Sequence, residues 1–286
     1  MPDSGKGRLQ RIVLALLREH EGTDNGLPTN PRFVFYELEF RGVVRKSRKG
    51  ESRRGTADDP REQEVTDATI WLRVHGVVPW SWIEDETRTL YAWGHARTVA
   101  DYLRREVDYA RVNPWPGEPP LLLVESRSLG GVLRAVTERY VCPIAATNGQ
   151  VGGFLYTEVA PILADNDRAV LYLGDWDHQG HQIEENTRRV LERETGREIA
   201  WTRVAITKEQ IAKRHLTPIW KTDNRYKPPQ ETEAWEAEAL GQQTIVRLVR
   251  KKLDSLLPEP LADVLEREAV ERVRMRAVLQ RAGRKR

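Results

Sequence analysis

The sequence predicts an α/β protein with a helical N-terminal module, an open and mostly parallel sheet, and closing C-terminal helices. Three observations carry this. Before residue 110 the apolar residues recur at helical spacing. The stretch Arg111–Pro120, RVNPWPGEPP, holds four prolines and a glycine, which cannot continue a helix and mark a linker. Beyond it, short apolar runs alternate with helical segments, the pattern of parallel strands joined by helical crossovers. The domains predicted are therefore 1–110, a linker at 111–120, and 121–286.

In the first module, Leu9, Ile12, Val13, Leu16 and Leu17 define an amphipathic helix over residues 8–20. The second helix runs from Pro31 to Phe40, with proline in the tolerated first turn. A third, from Arg61 to His75, places Val65, Ala68, Thr69 and Leu72 on one face, and a fourth spans His95 to Tyr109. Between the second and third lie Arg45, Lys46, Arg48, Lys49, Arg53 and Arg54 against the single acid Glu51. Three short helices with a basic loop resemble a winged-helix DNA-binding module, and those six cations are its candidate phosphate contacts. A second basic cluster closes the chain, with eight Arg or Lys and three Glu from Leu265 to Arg286. Such clusters are footprints for polyanions, although solvated loops and tails carry them too.

After the linker, strands are predicted at Leu121–Val124, Pro143–Thr147, Ala169–Leu173 and Ile199–Ile206. Helices are predicted at Leu129–Tyr140, Phe154–Leu163, Gln179–Glu194 and Lys208–His215, then at Thr232–Leu257 and Ala262–Gln280. In a Rossmann-like sheet, ligand chemistry sits beyond the carboxyl ends of the strands. Two acidic motifs fall there: the first strand ends in Glu125, and the third runs into Gly174-Asp175-Trp176-Asp177. Converging carboxylates repel, a divalent cation removes the repulsion, and an all-oxygen set suits Mg²⁺ or Mn²⁺. The competing reading is an acid that caps the following helix. An aspartyl phosphatase of the haloacid dehalogenase type fits poorly, because His178 and Gln179 follow the motif where a hydroxyl residue is wanted.

The ordered set of Glu125 and Asp175-x-Asp177 resembles the Toprim domain of topoisomerases, primases and some nucleases. Ala205-Ile-Thr-Lys-Glu-Gln-Ile211, Lys221-Thr-Asp-Asn-Arg-Tyr-Lys227 and Trp235-Glu-Ala-Glu-Ala-Leu240 are similar to the run that follows Toprim in topoisomerase VI A subunits. Arg32-Phe-Val-Phe35-Tyr36 is similar to that family's Arg-x-x-(Phe/Tyr)-Tyr motif, which the meiotic double-strand-break protein shares. The resemblance implies a winged helix followed by Toprim. It makes Tyr36 the nucleophile that joins a 5′ phosphate, Arg32 a contact to the scissile phosphate, and Glu125, Asp175 and Asp177 the Mg²⁺ site. It also implies a homodimer acting on double-stranded DNA, because in the family the tyrosine of one subunit meets the metal of the other.

The chain departs from the family in four respects. Little sequence precedes Tyr36, no phosphate-binding Gly-Lys-Ser/Thr loop occurs, and His178 replaces the proline that usually follows the acidic motif. The family's Glu-Leu-Asp-Ala-Leu run is here Glu236-Ala-Glu-Ala-Leu240, which keeps the acidic character of Glu236 and Glu238. DNA cleavage without an ATPase of its own is the expectation, with an ATPase or SMC-type protein as partner. Two alternatives stand beside it: a hydrolytic Toprim nuclease of plasmid-defence type, in which Tyr36 is structural, and a DNA-binding protein that does not cut.

Charged residues make up 31% of the 286 and hydrophobic residues 39%, which excludes a wholly disordered chain. The net charge of +3 says little by itself. No apolar run approaches the ~18 residues of a membrane span, and no signal peptide is evident. The single cysteine, Cys142, cannot form an internal disulfide. A cytoplasmic, nucleoid-associated protein is expected.

Overall fold

The computed structural model describes residues 5–48, 50–84, 96–149, 153–164, 167–223 and 226–283. Lys49, Trp93, His95 and Arg284–Arg286 lie outside the described residues.

Three helices build the N-terminal unit: α1 (Gly5–Glu21), α2 (Pro31–Phe40) and α3 (Glu62–Val74). Val13, Leu16, Leu17, Val34, Leu38, Val65 and Leu72 interdigitate in its core, each almost fully buried. α2 starts where Asn30 caps it, accepting the N–H groups of Arg32 and Phe33 at 3.1 Å, with Pro31 in the first turn. Among the described residues of this unit, extended pairing is limited to an isolated bridge between Thr29 and Ile83.

The helix α4 (Val99–Tyr109) packs along the last helix, α10 (Leu261–Gly283), where Arg276 pairs with Asp108 and Arg272 donates to the Ala110 carbonyl. The proline-rich segment after α4 is held against the C-terminal unit. Trp115 is buried and its indole N–H donates to the Tyr140 carbonyl at 2.6 Å, while the Val112 N–H reaches Glu268.

The C-terminal unit is an α/β sandwich around a four-stranded parallel sheet. Its strands are β1 (Leu121–Val124), β2 (Ile144–Ala146), β3 (Val170–Leu173) and β4 (Trp201–Ala205), in the order β2-β1-β3-β4. Alternation of side chains assigns the two faces. Leu122, Val124, Leu171 and Leu173 face α5 (Arg127–Arg139) and α9 (Gln242–Asp254). Leu121, Leu123, Val170 and Tyr172 face a π-helical turn (Leu155–Val159), α6 (Ala160–Ala164) and α7 (His178–Thr195). β1 and β3, buried on both faces, read in the sequence as unbroken apolar runs.

One segment departs from the sequence expectation. Helix was expected over Thr232–Leu257, but the chain after α8 (Lys208–Arg214) forms an antiparallel hairpin of β5 (Ile219–Asp223) and β6 (Gln230–Ala234). A short 3₁₀ turn (Ala237–Leu240) precedes α9. Tertiary anchors override local helix propensity here. Trp235 exchanges backbone hydrogen bonds with Trp176, the Ala237 N–H is taken by Asp175, and Gly241 adopts a positive φ of 75° that breaks the helix.

The two units are stapled together. Phe33 of α2 lies in the core beneath α5, Asn30 donates to the Ser128 carbonyl at 3.2 Å, and the fully buried Gln242 side chain donates to the carbonyls of Asn25, Gly26 and Pro28. These contacts carry α2 across the carboxyl edge of the sheet.

Candidate active site

Glu125 leaves β1 and Asp175 leaves β3 at the carboxyl edge, as the strand-end argument expects. Glu125 folds back so that its Oε2 accepts the Asp175 N–H at 2.9 Å. That fold requires glycine at 174, because a Cβ there would lie 2.7 Å from Glu125 Oε2 and from the Tyr172 hydroxyl. Asp175 accepts the Ala237 N–H at 3.0 Å. Asp177 is both a site acid and a helix cap: its Oδ1 accepts the Gly180 N–H at 2.6 Å while its Oδ2 meets Lys221. The capping reading of this acid is thus met by one oxygen, while the other is held in an ion pair.

Lys221 reaches in from β5. Its Nζ is 2.6 Å from Asp177 Oδ2, 3.6 Å from Asp175 Oδ2 and 3.9 Å from Glu236 Oε1. Glu236 Oε1 also receives Lys46 Nζ at 2.6 Å, and Glu236 Oε2 receives Arg32 at 3.3 Å. Glu238, with no exposed surface, pairs with Arg32 Nε at 3.2 Å and accepts the Ser126 and Ser128 hydroxyls. Three cations thus knit the strand-end acids to two further carboxylates.

The electrostatics follow from this crowding. Burial, and then the charges of Asp175 and Asp177, push Glu125 up to about 7. Burial and Glu238 raise Asp175 as well. Asp177 is held low: burial opposes its ionisation, but the Lys221 ammonium and the Gly180 N–H outweigh burial. Burial also raises Glu236 to about 7 against the pull of Arg32. Lys46 is depressed to about 8 by burial, with Arg32 and Lys221 adding repulsion.

Tyr36 lies one helical turn beyond Arg32 on the same face of α2. Its ring is only 7% exposed and meets Phe35 edge-on, with centroids 5.3 Å apart. Lys46 Nζ donates to its hydroxyl at 2.8 Å. A cavity of about 740 Å³ opens beside it between α2 and α3, reached by Arg53, Arg73 and Lys46. A second of about 450 Å³ is lined by Glu125, Asp175, Ser126, Arg127 and Asn148. Arg32, its side chain 43% exposed, lines both.

The structure sorts the basic loop into different environments. Arg45 is engaged by Asp59 and Glu51, both at 2.7 Å, and Arg54 by Asp67 at 2.8 Å. Lys46 turns inward to Tyr36 and Glu236, whereas Arg48 and Arg53 are exposed. Lys49 is outside the described residues. Near the acids, His181 bonds the Asp177 carbonyl and Glu184 braces Arg203 and the Trp201 indole, so neither joins the carboxylate group.

Sequence reasoning did not single out Lys221 as a site residue, and it placed Lys46 among DNA contacts rather than beside Tyr36. No local signal marks either role, since both depend on contacts made across the fold. Among the described residues, no three His, Cys, Asp or Glu side chains stand ready-arranged around a metal position. The donor chemistry nevertheless fits a hard divalent cation. Glu125, Asp175 and Asp177 offer only oxygen, their crowding raises Glu125 and Asp175 despite the nearby Lys221, and a divalent cation among them would relieve it. No helix among the described residues is long and apolar enough to cross a membrane. Comparisons with protein-family models, with curated proteins and with solved structures find no match to this chain.

Proposed function

We propose that this protein is a DNA-cleaving enzyme that resembles topoisomerase VI A subunits, with a winged-helix-like unit bringing Tyr36 to the duplex and a Toprim-like unit supplying the acids. One observation carries the reading. The Tyr36 hydroxyl, Lys46, Glu236, Lys221 and Asp177 form a continuous line of polar contacts from the candidate nucleophile to the candidate metal site.

In this mechanism the neutral amine of Lys46 takes the phenol proton as Tyr36 Oη attacks phosphorus. A phenol is a poor nucleophile at its ordinary pKa of ~10, so such a base is needed. The Tyr36 O–P bond forms, the P–O3′ bond breaks, and the departing 3′ oxygen takes a proton from water. Arg32, charged and facing both cavities, holds a nonbridging phosphate oxygen. Mg²⁺ or Mn²⁺, when held by Glu125, Asp175 and Asp177, supplies charge stabilisation at the phosphate and at the leaving oxygen. Arg48 and Arg53, exposed like the acid-paired Arg54, meet the DNA backbone in this reading. A homodimer, an ATPase or SMC-type partner and association with the nucleoid belong to the same proposal. Because the line of contacts runs within one chain, each subunit here cuts one strand with its own Tyr36 and acids, unlike the shared site that the resemblance implies.

The burial of Tyr36 favours a second reading. If the ring is a core aromatic, water is the nucleophile, and a hydrolytic nuclease works from the cavity beside Glu125 and Asp175. Supercoiled plasmid incubated with Mg²⁺ or Mn²⁺, stopped in detergent and run with and without protease, separates the two. Linear DNA carrying protein, absent in Tyr36→Phe and Asp175→Ala, supports transesterification. Protein-free cuts that survive Tyr36→Phe but not Asp175→Ala mean hydrolysis, and no cutting at all favours a binding role.

A further inference from the structure

Lys221 is the one ammonium in contact with both acids of the Asp175-x-Asp177 motif among the described residues. It comes from the β5–β6 hairpin, an element separate from the sheet whose edge bears those acids. Its side chain is 38% exposed, so the ammonium has a route to solvent, whereas Asp175 and Asp177 are 16% and 7% exposed and stay behind. Lysine suits this position because it is a compact charge on a flexible stem, free to swing without disturbing the backbone. Five carboxylates (Glu125, Asp175, Asp177, Glu236 and Glu238) face three cations (Arg32, Lys46 and Lys221) here. Arg32 and Lys46 pair directly with Glu236 and Glu238 and act on Asp175 only at longer range, which leaves Lys221 as the cation in contact with the Asp175-x-Asp177 acids.

We propose that Lys221 is an exchangeable counter-ion, holding Asp175 and Asp177 when no metal is bound and leaving them when a divalent cation takes its place. The proposal rests on the reading of those acids as a cation site. A divalent ion on the Asp177 oxygen that Lys221 contacts at 2.6 Å would sit close to the ammonium and repel it, so the two compete. Lys221 then sets the concentration of cation at which the site fills.

Titration with Mn²⁺, followed by the paramagnetic resonance of the free ion, tests this without any reliance on cleavage. Lys221→Met is expected to bind Mn²⁺ roughly tenfold more tightly than wild type, the change that follows from losing a competing ion pair of modest strength. Lys221→Arg keeps the charge and is expected to stay near wild type, while Asp175→Asn abolishes binding in either background. Mn²⁺ binding that is lost in Asp175→Asn but unchanged or weaker in Lys221→Met overturns the competition and leaves the cation site standing. Absence of any Asp175-dependent binding in all these proteins overturns both. Wild type provides a second measurement that does not depend on a variant folding. Acetylation by acetic anhydride, read by mass spectrometry against the exposed Lys208 and Lys213, is expected to be severalfold faster at Lys221 when Mg²⁺ is present. An unchanged or slower rate overturns the proposal.

Discussion

Lys46 Nζ sits 2.8 Å from the Tyr36 hydroxyl and 2.6 Å from Glu236 Oε1, so one amine joins the helical unit's buried tyrosine to a carboxylate from the far side of the hairpin. The two residues are ten apart in sequence but reach each other only because the loop after α2 doubles back over its own helix. Val44 is buried in the helical core and the Lys46 N–H is taken by Glu39, which fixes the turn of the loop at that point.

This pairing predicts a pH dependence. With Lys46 depressed to about 8, its neutral, proton-accepting form falls tenfold for each pH unit below that value and is the major form above it. Single-turnover cleavage is therefore expected to rise about tenfold per unit from pH 6 to pH 8 and then level off. Lys46→Arg keeps the charge and the hydrogen bond but cannot accept the proton, so its rate is expected to be low and flat. An unaltered profile in that variant removes Lys46 as the base.

Replacing Tyr36 by Phe keeps the ring in its pocket and removes one hydrogen bond from Lys46. The expected cost to stability is about 1 kcal/mol, small enough for the fold to persist, while covalent protein–DNA linkage disappears. Denaturant unfolding and a protease-sensitive gel shift measure the two effects separately. A variant that still forms adducts places the nucleophile on another residue.

Gly174 leaves the acid site its room. A methyl group there would press on both Glu125 Oε2 and the Tyr172 hydroxyl at 2.7 Å, and the backbone cannot retreat. The Gly174 N–H is bonded to Ala205 O at 2.9 Å, and its carbonyl receives the Ile206 N–H at 3.1 Å. Gly174→Ala is expected to lower stability by about 1–3 kcal/mol, the usual range for overpacking. It should also displace Glu125, weakening Mn²⁺ binding in the same preparation. Unchanged unfolding and unchanged binding together would refute this account of the turn.

The parts of this arrangement that sequence pattern reveals are those governed by local periodicity. Val65, Ala68, Thr69 and Leu72 recur at helical spacing and all are buried in α3, and the apolar runs that become β1 and β3 end where Glu125 and Asp175 emerge. The hairpin is different. Gln230–Ala234 carries mostly polar residues with weak strand preference, and it becomes a strand by pairing with Ile219–Asp223. Lys221 and Asp177, 44 residues apart, meet only as a result of that pairing. The basic loop shows the converse limit. Composition reveals its cations, but the acids that engage them lie partly outside the loop, as Asp67 does for Arg54.

The staple between the units can be tested by a change of one heavy atom at constant shape. Gln242 has no exposed surface, and its amide nitrogen shares two hydrogens among the carbonyls of Asn25, Gly26 and Pro28 at 3.2, 3.0 and 3.1 Å. Gln242→Glu puts an acceptor where a donor is needed, so the new carboxyl remains favourable only while it carries a proton. Its folded pKa is then raised above the unfolded value of ~4.3, and stability is lost as pH rises from there through the folded pKa. The denaturant midpoint of Gln242→Glu is therefore expected to lie near wild type at pH 4 and well below it at pH 8. The segment from Asn25 to Pro28 leads directly into Asn30, the cap of α2, so the same variant should lose cleavage at pH 8 more than Gln242→Leu, which leaves the carbonyls unpaired but adds no charge. An equal midpoint at both pH values would show that these carbonyls do not hold α2 over the sheet edge.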